Sequence, residues 1–149
     1  MVERVIAHTG NKRPEISDML AASFEQLGIF SNAYRYYFKA LNEKKILSTM
    51  LKIAEEGYDS ELDLFFTRAC LDMLLRSTEL AKIKFLHVNG KQRCPASPLM
   101  NMMEFLIAAI EERDFEFVKK MMTEDYAVVL RRDPVLEDKL DKVCQRAFG

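Results

Sequence analysis

DSELDLFFTRACLDMLLR, residues Asp59 to Arg76, decides the fold class. Past its first turn the charges Arg68, Asp72 and Arg76 recur at i, i+4 and i+8, one narrow stripe on a helix where they can pair with each other and meet water. The other positions are apolar almost all round, and such a helix needs cover from several sides. Ser60 with Asp63 three residues later resembles a capping box that would start it. The segment therefore reads as the central helix of a stacked array.

Working outward, Gly, Pro and capping residues cut the chain into further helices. In RPEISDMLAASFEQLG, Pro14 suits a first helical turn and Ile16, Leu20, Phe24 and Leu27 repeat at helical spacing before Gly28 offers a stop. Ser31 is the expected cap of the next segment, and Glu43 to Glu56 forms a third helix that ends on Gly57. On the other side a helix is predicted from about Ser77 to Phe85, after which the pattern fails in LHVNGKQRCPASP. Asn89-Gly90 is a hairpin-type turn signal there, so residues 86–95 are expected to form a small β-ribbon or a loop. Ser97 and Pro98 restart a helix with Met100, Met103, Leu106, Ile107 and Ile110 on one face. Phe115 to about Met122 makes a short helix, and Asp133 with Pro134 opens the last, to which Arg131 and Arg132 are the approach. Along that last helix Leu136, Leu140, Val143, Cys144 and Ala147 share an apolar face that can close the stack. The expected architecture is all-α, an α-solenoid of antiparallel helix pairs over residues 1–149 as a single domain.

Composition agrees with a folded helical protein. Apolar residues make up 49 % and Gly (5) and Pro (4) are scarce, which argues against disorder. Lys plus Arg (22) nearly cancel Asp plus Glu (23), so no net field favours nucleic acid or an anionic membrane. Cys70, Cys94 and Cys144 form no CxxC pair and leave one thiol over in any disulfide scheme, which points to a reducing compartment. The longest uncharged run, the ten residues Cys94 to Met103, is far short of the roughly 20 that cross a bilayer. MVERVIAHTG has no secretory core, and the expected location is the cytosol.

Signatures of chemistry are absent from the sequence. There is no phosphate-cradling glycine loop, no zinc-binding H-E-x-x-H and no G-x-S-x-G elbow. His8 and His87, the only histidines, lie at helical spacing from no Cys or second His, so no metal or cofactor is expected. The acidic pairs Glu55-Glu56 and Glu111-Glu112 point about 100° apart on a helix and read as solvated faces. Methionines cluster in PLMNMMEFLIAAI and KKMM, either as core filling or as a soft groove for a partner helix. LGIFSNAYRYYFKALN, with Leu27-Gly28, Ala33, Tyr37 and Ala40-Leu41, reads like the second half of a tetratricopeptide unit, but no copy recurs at its period.

Two stretches taken together resemble the Golgi-to-ER traffic protein 4 homologues. In EEGYDSELDLFFTRACLDML the residues Glu61, Asp63, Leu64, Phe65, Arg68 and Ala69 look like the family's E-x-D-L-F and R-A; RDPVLEDKLDKVCQRAFG resembles its closing helix, R-D-P, then L-D-K, then F-G. NMMEFLIAAIEERDFEFVKKM between them is similar to the family's helix ending in E-R-D. Lys139 and Ala147 stand where the family tends to have tyrosines, Cys144 replaces a glycine and Arg146 an apolar residue. The resemblance implies a non-enzymatic cytosolic adaptor in the delivery of tail-anchored membrane proteins to the ER. It also implies, for the family's C-terminal half, a ubiquitin-like-domain partner or a large ubiquitin-like scaffold chaperone. The family's N-terminal half meets a targeting ATPase, and this chain resembles mainly the C-terminal half, so that contact is not carried over.

The expected partner surface is an apolar strip built from residues 86–95 and the helix from Pro98 to Ile110, with Leu86, Val88, Met100, Met103 and Phe117 as contacts. A reading from another class is a peptide-binding tetratricopeptide-like co-chaperone. It requires Arg35, Lys39 and Lys52 to line a basic groove for a peptide carboxylate.

Overall fold

A computed structural model describes residues 14–55, 62–77, 79–131 and 133–148. Gly57, the Ser60 cap, His8 and Arg132 lie outside them. By contact the chain forms two compact units, 1–59 and 60–149, and every regular element among the described residues is a helix.

The first unit holds α1 (Pro14–Gln26), α2 (Phe30–Lys39) and α3 (Glu43–Glu55). Gly28 ends α1 at φ +76°, with its N–H on the Glu25 carbonyl (3.0 Å) and the Ile29 N–H on that of Phe24 (2.9 Å). That is a Schellman stop, and the left-handed conformation explains the glycine. Leu41 closes α2 in the same way at φ 56°. Ser31 is not a cap: α2 already begins at Phe30, and the position before it is held by Ile29, with no side-chain bond. Asn42 caps α3 instead, accepting from the Lys45 N–H (3.3 Å) while its amide donates to Asp18 of α1 (3.2 Å). Ala21, Ala33, Tyr36, Tyr37, Ile46 and Met50 form the core.

In the second unit α4 (Leu62–Arg76) is the central helix the sequence predicts, packed by α5 (Leu80–Arg93), α6 (Pro98–Glu112) and α9 (Pro134–Phe148). Leu64, Phe66, Ala69, Cys70, Leu71 and Met73 are all buried. Of its polar stripe, Arg68 and Asp72 reach across to the last helix, meeting Asp133 and Lys139 (Nζ to Oδ1, 2.6 Å), while Arg146 donates to the Leu74 carbonyl (2.9 Å). Partners rise together along both helices, so α4 and α9 run in the same direction.

The expected β-ribbon at residues 86–95 does not form, because α5 runs straight through it. Asn89 turns its amide back onto the Phe85 carbonyl one turn below (2.9 Å). A Cβ on Gly90 would lie 2.8 Å from the Met100 sulfur and 2.9 Å from Cγ of Phe66. The glycine is there for close helix approach, and packing overrides the turn preference of the dipeptide. Ser97 and Pro98 do restart the chain as α6. The Ser97 hydroxyl, however, donates to Asp63 of α4 (2.7 Å) and ties the two helix starts together.

α6 ends at Arg113, left-handed at φ 56°, whose N–H meets the Ile110 carbonyl while that of Asp114 meets Ala109 (2.9 Å). This repeats the Schellman stop with arginine where glycine is usual. Asp114 caps α7 (Phe115–Lys120) by accepting from the Phe117 N–H, a π-turn follows over Met121–Asp125, and α8 (Ala127–Leu130) precedes the last helix. Asp133 starts α9 as expected, its Oδ1 accepting from the Val135 N–H (3.1 Å), and Leu136, Leu140, Val143 and Cys144 are buried while Ala147 is exposed.

Candidate functional site

The five expected contact residues fall into two groups. Leu86, Met100 and Met103 are at 0 % exposure, so they belong to the core of the second unit and present no surface to a partner. The periodicity that places Met100, Met103, Leu106 and Ile107 on one face identifies the face α4 and α5 cover, not an open strip. Val88 and Phe117 are half-exposed, on α5 and α7.

Beside Phe117 the structure adds an aromatic residue that the core-seeking periodicity passes over. Phe105, on the outer side of α6, meets Phe117 edge to face at 6.3 Å between ring centres, and Phe115 is as exposed as either. Helical spacing shows that Phe105 falls off the face shared by Leu106 and Ile107, which is the signal that could have found it. Phe105 and Phe117, half-exposed on neighbouring helices, form a candidate contact patch, while Phe115, two residues before Phe117 on α7, lines the concavity on the side of the last helix.

Val88 lies apart from this patch, in a groove of about 420 Å³ between α5 and α6. Two ion pairs straddle that groove, Lys84 with Glu111 (2.6 Å) and Lys91 with Glu104 (3.2 Å), in the order of two antiparallel helices. His87 is buried beneath, its Nε2 2.8 Å from the Met100 carbonyl.

A second concavity of about 780 Å³ is walled by α7, the π-turn and α9, with Phe115 and Met122 on one side and Cys144 and Ala147 on the other. It shares Arg113 and Ala147 with a smaller pocket of about 290 Å³ lined by Leu80, Ile110, Val143 and Arg146.

The three thiols are held in their protonated form. Burial pushes the Cys70 thiol up to about 12. Burial also raises Cys94 and Cys144, helped by the Asp63 and Asp141 carboxylates respectively, so all three favour the protonated, weakly nucleophilic form. Among the described residues no cluster of His, Cys, Asp or Glu is suited to a metal ion, and no helix is long and apolar enough to cross a membrane.

Arg35, Lys39, Lys45 and Lys52 are engaged within the first unit. Arg35 and Lys39 stand 4.9 and 4.8 Å from the centre of the Tyr36 ring. Lys52 pairs with Glu25 (3.2 Å) and lies over Phe30, and Lys45 meets the other Glu25 oxygen (3.5 Å). Burial would raise the Glu25 carboxyl, but the Tyr37 hydroxyl and the two lysines hold it below its usual range. Burial and the same carboxylate push Tyr37 up to about 12. This cluster binds α1, α2 and α3 together.

Residues 6–149 match the model of the family described as Golgi to ER traffic protein 4. The chain is 30 % identical over 145 residues to a Golgi to ER traffic protein 4 homolog of Oryzias latipes, an alignment covering 91 % of this chain and 44 % of that protein. Homolog B of Xenopus laevis is 32 % identical over 124 residues and the Homo sapiens homolog 30 % over 124, each covering 77 % of this chain and 38 % of the relative. The chain thus spans less than half the length of these relatives.

Proposed function

The chain belongs to the Golgi to ER traffic protein 4 family, and from that premise we propose that it is a non-enzymatic scaffold of the cytosol, acting in delivery of tail-anchored membrane proteins to the ER. In this reading the second unit holds a ubiquitin-like-domain partner or a large ubiquitin-like scaffold chaperone. The observation that carries the proposal is the Phe105–Phe117 pair, apolar surface left half-exposed beside a buried core. The protonated thiols and the ion-paired Glu25 carboxylate of the first unit support an adaptor over a catalyst. No contact to a targeting ATPase is included.

Capture from native cytosol tests the reading. The tagged chain should retain a protein with a ubiquitin-like domain, and Phe105→Asp with Phe117→Asp should reduce that capture by about tenfold or more with helicity unchanged. Undiminished capture by the double variant, or none by the wild type, would remove it.

A further inference from the structure

We propose that the continuous cleft running from the 290 Å³ pocket into the 780 Å³ concavity receives an acidic, apolar-faced peptide segment of a partner protein, with a carboxylate set against Arg113 and Arg146. The inference rests on the scaffold reading only in taking the second unit as a partner-holding surface; the chemistry of the segment is its own content.

Charge is the first argument. Arg113 lies where the two concavities join, Arg146 lines the smaller and Lys119 the larger. Against these stands Asp141, the sole acid on either wall among the described residues. Arg146 is anchored by one N–H on the Leu74 carbonyl, which leaves the rest of its donor fork for a second acceptor. In the smaller pocket the Ser77 hydroxyl oxygen already accepts from the Glu79 N–H (3.0 Å), so its proton remains to be donated. Donors without a matching carboxylate, over walls made by Leu80, Ile110 and Val143, suit an anionic group carried on an apolar body.

Arg113 itself is the second argument. It sits at φ 56°, the position of a Schellman stop that glycine fills at Gly28. A non-glycine residue there costs about 1 kcal/mol. The strained position fixes the root of a long cationic side chain at the junction of the two concavities, which a relaxed glycine would leave uncharged. The larger concavity is open to solvent, with the apolar side chains of Phe115 and Met122 on one side, and suits an extended or helical segment better than a small enclosed ligand.

The test uses the whole chain and a random peptide library displayed on phage. Enriched peptides should carry net negative charge with spaced apolar residues, and their affinity should fall with added salt. Arg113→Gly should weaken them about tenfold without lowering the melting temperature, because it removes the charge while relaxing the backbone. Arg113→Glu should shift selection toward basic peptides, and Lys44→Glu, at an exposed position of α3, should change nothing. Enrichment of neutral or basic peptides, acidic binders indifferent to both Arg113 substitutions, or no enrichment at all would overturn the proposal. Each of these outcomes is separate from loss of the ubiquitin-like partner in cytosol, which bears on the scaffold reading alone.

Discussion

Arg68 and Asp133, 65 residues apart in sequence, meet side chain to side chain: the arginine Nε donates to Oδ2 at 2.7 Å and a second guanidinium N–H reaches the same oxygen. The other aspartate oxygen caps the first turn of the last helix. One buried carboxylate thus starts α9 and fastens that start to the central helix, so a local capping choice and a long-range contact are the same residue.

Asp133→Asn keeps a capping acceptor and removes the charge. Burial would raise the Asp133 carboxyl, but the Arg68 fork, the Val135 N–H and the charge of Lys139 hold it below the ordinary 3.8. A depressed carboxylate contributes stability that is full above its unfolded pKa and is lost as pH falls through its folded one. Wild type should therefore exceed the variant by about 1 kcal/mol near neutral pH, a figure kept small by the half-exposed Arg68. That difference should shrink below about pH 4. Urea unfolding across the acid range measures it, and a difference independent of pH would contradict the assignment.

Gly90→Ala should destabilise the second unit, although alanine is the better helix former by about 1 kcal/mol. The added methyl meets the Met100 sulfur and the Phe66 ring inside 3.0 Å. Overpacking of this kind costs about 1–3 kcal/mol. Met100 is enclosed at 0 % exposure, so Met100→Ala in the same chain, which removes the nearest clashing atom, should return part of the loss. A double-mutant cycle by chemical denaturation reads the coupling, and simple additivity would place the clash elsewhere.

Helix positions were legible where periodicity and caps agreed, as in α4 with its all-round apolar surface and in α9 with its Asp133 start. The sequence misled where a residue has two uses. Asn89-Gly90 serves turns and close helix packing equally, and only the Phe66 ring and Met100 on other helices select between them. The contact surface was misread for a related reason. Helical spacing groups Met100 with Met103 but does not say whether that face is covered, since cover is supplied by α4 and α5. Phe105 is legible only by exclusion, as an aromatic residue that helical spacing puts off the core face, and its meeting with Phe117 depends on how α6 and α7 pack. Arg113 was hidden because a left-handed arginine looks like any other surface charge.

Thiol labelling should follow packing. Cys94, partly exposed after the end of α5, should react first with a soluble thiol reagent, and Cys144, at 9 % exposure, more slowly. Cys70, at 0 % exposure and pushed up to about 12, should react only at the rate of global unfolding. Mass spectrometry after timed quenching separates the three sites. Labelling of Cys70 in native buffer as fast as Cys94 would show that α4 is not central.

Met103→Asp and Phe117→Asp separate core from surface on two adjoining helices. Met103 is wholly enclosed, and a carboxylate there has no partner in the apolar interior, at a cost of about 3 kcal/mol or more. The second unit should lose its cooperative transition or melt far earlier. Phe117 is 43 % exposed and gives up mainly its edge contact with Phe105, worth about 1 kcal/mol. That variant should keep its circular dichroism and melt within a few degrees of wild type, leaving it fit for partner-capture experiments. If Met103→Asp melted like wild type, the methionine face would be an open surface and the core drawn around α4 would have to be redrawn.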